Sequence, residues 1–329
     1  MQNRSALGDC LVTTCTQPTK TRMPSTPSKA QLTPRKAPNQ VSFRTLAKTV
    51  ARWQPPVRLD VEEKTAASKK LASCSMKDFD PKATPFSSGD KTLDKAAVEA
   101  LATEIDVLQN LFYADRRHKL LVILQGMDTS GKDGTLRGVF GRVSPLGVHT
   151  VGWKAPNEAE RAHDYLWRIH QMVPAAGELA IFNRSHYEDV LVPPVNGWVT
   201  TRQTAQRYQH INDFERMLSE TGTVVLKFML HISFEEQRER LQERIDDPTK
   251  RWKFSAGDLE VRKQWKEYQH AYGDLLNATS TPWAPWTVVP SNSKTHRNLM
   301  IATIVQATLQ QMDLKFPPGD PELAGIRVA

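Results

Sequence analysis

Cysteine is scarce in this chain: Cys10, Cys15 and Cys74 are the only three in 329 residues, all in the first quarter. The main body therefore has no thiol for a disulfide framework or a thiolate metal site, and any metal must be met by oxygen or nitrogen ligands. No run of about 18 apolar residues occurs, and the start lacks the apolar core of a secretory signal, so a cytoplasmic protein with no membrane contact is expected. A net positive charge is also missing from the body. Residues 1–70 carry 13 Lys/Arg against 4 Asp/Glu, whereas the remainder carries 31 against 32, so the net charge of +8 belongs to the N-terminal arm. A specific nucleic-acid binder loses its main support on that count. Histidines His163, His170, His186 and His231 are too scattered for a zinc site, and only His186 stays a candidate phosphate contact.

What is present is enough apolar sequence, 39% of residues, for one large α/β core. Residues 1–70 mix Thr, Ser, Pro, Gln and basic residues and read as a basic, disordered arm. Within it, Phe43, Leu46, Val50 and Trp53 fall at helical spacing and suggest either a short amphipathic helix or a merely apolar stretch in a tail. Residues 71–318 read as one domain with a lid at about 235–275, and 319–329 as a tail. Short apolar runs at Leu120–Leu124, Val148–Trp153, Leu179–Phe182, Val224–Leu230 and Trp286–Val289 suit buried parallel strands. Helical patterns separate them at Leu136–Val143, Glu158–Met172, Thr201–Thr221 and Phe234–Leu276. One precedes the strands at Lys95–Tyr113 and one follows at Asn298–Leu314. This alternation predicts right-handed βαβ units: an α/β fold with a parallel sheet of about five strands, helices on both faces and a helical lid.

After the first strand comes GMDTSGKDGT, Gly126 to Thr135, and then a helix. Gly126 and Gly131 let the backbone turn so that successive N–H groups point inward, and the helix N-terminus adds positive potential. That is the kinase type of phosphate loop, with Gly134 and Thr135 completing the cradle and Lys132 placed to reach the oxygens around the bond being broken. Asp133 stands where common phosphate-loop proteins put a magnesium-binding Ser or Thr. Asp128, inside the loop, is then the natural ligand for a hard cation.

A second polar cluster, FNRSHYEDV at Phe182–Val190, follows the third strand run, and the carboxyl ends of parallel strands share one crevice. Glu188 and Asp189 are candidates for a second metal-binding carboxylate or a base, and Arg184 for a bidentate phosphate contact. In the segment Glu235–Asp258, Arg238, Arg240, Arg244, Lys250, Arg251 and Lys253 gather around a turn at Asp246–Pro248. The last three find no acidic partner at helical spacing on their C-terminal side before Asp258, which suggests a cationic lid closing over phosphates. Trp252 and Phe254 are expected to anchor that lid to the core.

Taken together, GMDTSGKDGT, FNRSHYEDVLVPPV, the HDYLWRIH stretch, ERIDDPTKRWKFS and TPWAPWTVVP followed by NSKTHRNL resemble the family-2 polyphosphate kinases from about Ser75 to Pro317. Asn183 and the following EDV are similar to the class III subgroup, associated with phosphorylating nucleoside mono- and diphosphates. The resemblance implies transfer of phosphoryl groups between inorganic polyphosphate and adenine or guanine nucleotides, with Mg2+ as cofactor and Mn2+ as a substitute. It implies that Asp128 and Asp189 are magnesium-linked catalytic carboxylates, that Lys132 and Arg184 bind the transferring phosphates, and that Arg244, Lys250 and Lys253 serve the lid. A dimer or tetramer is implied as well. The basic arm departs from the family pattern, as does His296 where an aromatic is usual. Two rival readings are an ATP-dependent nucleotide kinase, which Asp133 speaks against, and a non-catalytic polyanion-binding module, which leaves the paired acidic motifs without a purpose.

Overall fold

The computed structural model describes residues 42–57, 73–323 and 325–328. In chain order the elements are α1 (Phe43–Ala51), α2 (Lys91–Asp115), β1 (Lys119–Gln125), α3 (Lys132–Val139), β2 (Val148–Gly152), α4 (Glu158–Arg161) and α5 (Trp167–His170). They continue with β3 (Leu179–Asn183), α6 (Val192–Val195), α7 (Thr201–Glu220), β4 (Thr223–His231), α8 (Phe234–Asp246), α9 (Ala256–Lys263), α10 (Trp265–Thr279), β5 (Trp286–Pro290) and α11 (Lys294–Gln311). All five strands are parallel, in the order β2-β3-β1-β4-β5.

The unbroken apolar run of β1 follows from cover on both faces. Its side chains alternate: Leu121 and Ile123 join Tyr208, Phe214 and Leu275 from α7 and α10, while Leu120, Val122 and Leu124 join Ile105, Phe112, Met300 and Val305 from α2 and α11. With β1 central, the loops after β1, β3 and β4 emerge side by side at the carboxyl edge of the sheet. That edge carries the site.

Two helical readings are corrected. The pattern at Glu158–Met172 forms two short turns, α4 and α5, because the Asp164 carboxylate captures the Leu166 N–H (2.9 Å) and the Arg168 guanidinium is drawn back onto the Lys154 carbonyl (2.9 Å). The stretch Phe234–Leu276 breaks into α8, a 3₁₀ turn at Arg251–Lys253, α9 and α10, with Ser255 capping α9. Side-chain capping of this kind competes with helix continuation.

Most of the arm, residues 1–41 and 58–70, lies outside the described residues. Its Phe43–Ala51 segment is helical, and the chain just beyond docks on the body. The Trp53 carbonyl accepts the outward N–H of Val288 on edge strand β5 (2.8 Å), and its ring packs near Phe79. A strand edge that would expose an unpaired donor is thereby covered.

Candidate active site

The loop after β1 turns at Gly126 and Gly131, both at positive φ. Gly131 precedes α3 without any side-chain cap, so the N–H groups of the first turn are left for a ligand. Space matters here as much as conformation. A Cβ on Gly126 would meet the Leu230 carbonyl at 2.6 Å, and one on Gly131 would overlap the Arg297 guanidinium at 1.8 Å.

Lys132 is buried, and its ammonium donates to the carbonyls of Gly126 (2.6 Å) and Met127 (3.2 Å). It has no carboxylate in contact. Burial, and then the positive charge of Arg184, push it down to about 8, against a weaker pull from Asp128, Glu188 and Asp133. Arg184, held at φ +66, pairs with Asp128 at 3.0 Å. The Asp133 carboxylate, exposed on the first turn of α3, is gripped from two sides: Asn183 Nδ2 donates to one oxygen (2.9 Å) and Lys253 Nζ to the other (3.1 Å). Burial tends to raise its pKa, yet Asn183, Lys253 and Lys132 hold it below the ordinary value.

The 3₁₀ turn His186–Val190 separates the two neighbouring carboxylates. Glu188 accepts from Gln125 Nε2 at the end of β1 and shares with Asp128 the electrostatic environment of Lys132, Arg184 and Tyr272. Asp189 faces elsewhere. Its Oδ2 is buried without a hydrogen-bond partner, 4.0 Å from Arg168, and its backbone carbonyl accepts from Arg207. Burial raises its pKa, with Arg168 and Arg207 opposing. His186 is fully buried with Nε2 on Glu215 (3.3 Å), a packing position away from the loop and not the candidate phosphate contact.

Above the loop, a cleft of about 1040 Å³ is lined by Asp128, Gly131, Lys132, Gly134, Arg184, Arg244, Lys250 and Lys253, together with Arg137, Lys154, Lys294 and Arg297. Thr135 points away, its hydroxyl 3.5 Å from Asn298. The lid cations find partners the sequence spacing did not reveal: Lys250 pairs with Glu243 (2.7 Å) and Asp247 (2.8 Å), Lys253 with Asp133, and Arg244 with Asp258 (3.4 Å). Trp252 does not anchor the lid; it is 76% exposed.

Two buried arginines have a part that sequence reading did not give them: Arg240 was placed among the lid cations, and Arg297 was given no role. Arg240 of α8 donates to the carbonyls of Thr129 (2.8 Å) and Ser130 (3.2 Å) in the loop and of Ser291 (2.6 Å) and Asn292 (2.9 Å) after β5, with Glu236 as its one carboxylate. It staples the lid helix to the back of the phosphate loop. Arg297 of α11 reaches the same Ser130 carbonyl (3.4 Å) and is otherwise held by Asn298; burial, and then Arg240, bring it down to about 9. Arginines are usually solvent-facing, so nothing in the sequence marked either of these as buried against the loop.

The excess of cation over anion in this cleft suits a ligand with several negative charges in a row. Residues 88–317 match the polyphosphate kinase 2 family. This chain belongs to that family. It is 50% identical over 256 residues, 77% of its length and 94% of the relative's, to the AMP/ADP-polyphosphate phosphotransferase of Meiothermus ruber. It is 37% identical over 238 residues, covering 68% of this chain and 82% of the other, to the ADP-polyphosphate phosphotransferase of Rhodopseudomonas palustris. The crystal structure of polyphosphate kinase 2 from Arthrobacter aurescens superposes with a TM-score of 0.75 at 40% identity, over 82% of this chain and 96% of that one. The fold is thus the phosphate-loop kinase-like fold of this family.

Proposed function

We propose that this chain transfers a terminal phosphoryl group between inorganic polyphosphate and a nucleotide, taking AMP to ADP and ADP to ATP. The observation that carries the reading is a phosphate loop whose lysine is buried without a carboxylate, at the floor of a cleft walled by arginine and lysine. A group of this kind awaits an anion. The relatives' names supply the nature of that anion and of its acceptor.

In the reaction the loop N–H groups and Lys132 hold the phosphates flanking the transferred group, and Arg184 leaves Asp128 to meet charge developing on the equatorial oxygens. Arg244, Lys250 and Lys253 close the lid over the chain of phosphates, Lys253 exchanging the Asp133 carboxylate for substrate oxygen. The acceptor is already an anion at neutral pH, so positioning and charge neutralisation carry the rate and no strong base is needed. The chain's oxygen donors fit magnesium: among the described residues no group of three or more His, Cys, Asp or Glu side chains gathers, but Asp128 and Glu188 lie by the loop and the Asp189 oxygen is unpartnered. Magnesium completes its shell with phosphate and water oxygens and needs only one or two carboxylates. When bound, it neutralises charge on the phosphoryl group in transit; Mn2+ suits the same oxygens.

Turnover of AMP and of ADP with either polyphosphate or ATP as donor, with and without magnesium, tests this. Polyphosphate-dependent formation of ADP and ATP is expected. Transfer from ATP alone would favour a nucleotide kinase, and binding without turnover a polyanion module. Sedimentation checks the implied dimer or tetramer. Among the described residues no helix is long and apolar enough to cross a membrane.

A further inference from the structure

The cleft is lined by two indoles, Trp153 and Trp252, in opposite circumstances. Trp153 is buried, edge-on to Phe182, with the Arg168 guanidinium 5.1 Å from its centroid. Trp252, at the lid tip, is more exposed than any other described tryptophan. A single exposed ring needs no occupant on its own, but Trp252, unlike the similarly exposed Trp198, lines the substrate cleft.

The ring is nonetheless held in place. Its Nε1 donates to the Thr249 carbonyl (3.0 Å), within a turn tied by Thr249 to the Asp247 carboxylate (2.7 Å) and by Arg251 to the Ile245 carbonyl (2.8 Å). The Lys253 ammonium stands 5.1 Å from the ring centroid and also grips Asp133 at the start of α3. The indole is therefore two contacts from the phosphate loop, pre-ordered, with most of its surface open. A preformed platform of this kind binds without the entropy loss of ordering a loop.

Polyphosphate has charge and no apolar surface, so it gains from Lys250 and Lys253 and nothing from an indole. A nucleotide has both, and a nucleobase offers a flat π surface that stacks on aromatic rings. We propose that Trp252 is the stacking platform for the base of the nucleotide, whose phosphates run from the ring past Lys253 toward the loop. Stacking reads the face of the base and not its hydrogen-bonding edge, so adenine and guanine nucleotides are accepted alike, and pyrimidines less well in proportion to their smaller face. The assignment rests on the phosphotransferase reading above.

Trp252→Ala and Trp252→Phe test it in the full-length enzyme, since a ring so exposed is not needed for folding. With polyphosphate saturating, the alanine variant should raise KM for AMP and ADP about 10-fold and for CMP less, while KM for polyphosphate stays within about twofold; phenylalanine should recover most of the loss. Unchanged nucleotide KM with an active wild type overturns the inference. So does an equal rise for polyphosphate, or a change in sedimenting mass, which would make the ring a contact between copies. If the wild type itself fails to turn over, the phosphotransferase reading is at fault. Calorimetric AMP affinity of wild type against Trp252→Ala then decides for the ring alone: about 10-fold weaker binding supports it, and equal binding refutes it.

Discussion

Among the described residues two lysines are buried, and they are buried on different terms. Lys227 lies in the middle of β4 with the Glu215 carboxylate at 2.6 Å, the Tyr187 hydroxyl at 2.7 Å and the Thr279 carbonyl at 2.8 Å. Burial works to raise the Glu215 pKa, and Lys227 with His186 overcomes it, keeping the carboxylate ionised. Lys132 has only neutral groups of its own loop, the Gly126 and Met127 carbonyls and the Ser130 hydroxyl at 3.5 Å. A cation paired inside the protein is satisfied before any ligand arrives, whereas one left on neutral carbonyls keeps its full appetite for an anion. The back of the site is built for persistence and the front for exchange, with the turn from Ser185 to Val190 between them: Tyr187 is locked to Glu215 while Glu188 and Arg184 face the loop.

Breaking the inner pair gives the largest effect. Lys227→Met leaves Glu215 buried and uncompensated and should lower stability by about 3–5 kcal/mol in denaturant titration, while the protein that remains folded keeps its KM for both substrates. Lys132→Met should do the reverse: turnover falls about 100-fold or more, as for loss of one preorganised charge worth on the order of 3 kcal/mol, with stability equal or slightly higher. If both substitutions act mainly on stability, the distinction between the two lysines fails.

The pH dependence sharpens the same contrast. With Lys132 near 8 in the folded protein and about 10.4 when unfolded, the unfolded chain binds more protons between those values. The burial penalty is thus fully present below about 8 and is relieved as pH rises through that window, so ligand-free stability should climb there relative to Lys132→Met. Catalysis runs the opposite way. In kcat/KM a limb should fall as pH rises past about 8, and in kcat it should move upward, because bound phosphates favour the ammonium.

A smaller effect separates the neighbouring carboxylates. Asp128→Asn and Glu188→Gln should each raise the magnesium concentration needed for half-maximal rate and lower the maximum. Asp189→Asn should do so less if its carboxylate serves Arg168, and equally if it takes part in holding metal; a magnesium titration of the three variants decides.

The smallest change is expected at the arm. Removing residues 1–41 should leave thermal stability unaltered and raise KM for long polyphosphate only at low salt, since attraction between a basic segment and a polyanion is screened as salt rises. Extending the deletion to residue 57 uncovers Val288 and removes Trp53, and should lower Tm measurably by calorimetry. Identical salt profiles for full-length and shortened protein would leave the arm without a part in this reaction.

The sheet was legible in sequence because buried parallel strands are apolar without interruption, and the phosphate loop because glycine spacing encodes a backbone shape. What the sequence hid depends on distance in space. Lys253 and Asp133 are 120 positions apart yet in contact, so the lid cations looked unpartnered. Glu188 and Asp189 are adjacent in the chain, and only the path of a 3₁₀ turn sends them to different surroundings. Trp252 looked like an anchor because large aromatics are usually buried, and its exposure is a property of the tip of the lid that no spacing rule conveys. The break between α4 and α5 came from side chains competing for backbone groups, which apolar periodicity does not register.

The Arg297 guanidinium lies against the loop at the edge of the cleft, where a Cβ on Gly134 would come within 2.8 Å of it. Unlike Gly131, Gly134 has ordinary helical backbone, so its missing side chain reflects a neighbour and not a torsion angle. Part of what reads as a phosphate-binding signature therefore records the shape of an arginine standing beside it. Tolerance to mutation should be conditional in consequence: alanine at 134 requires the Arg297 guanidinium to shift and should be better accepted beside a shorter lysine, so the effect of a change at 134 depends on the residue at 297.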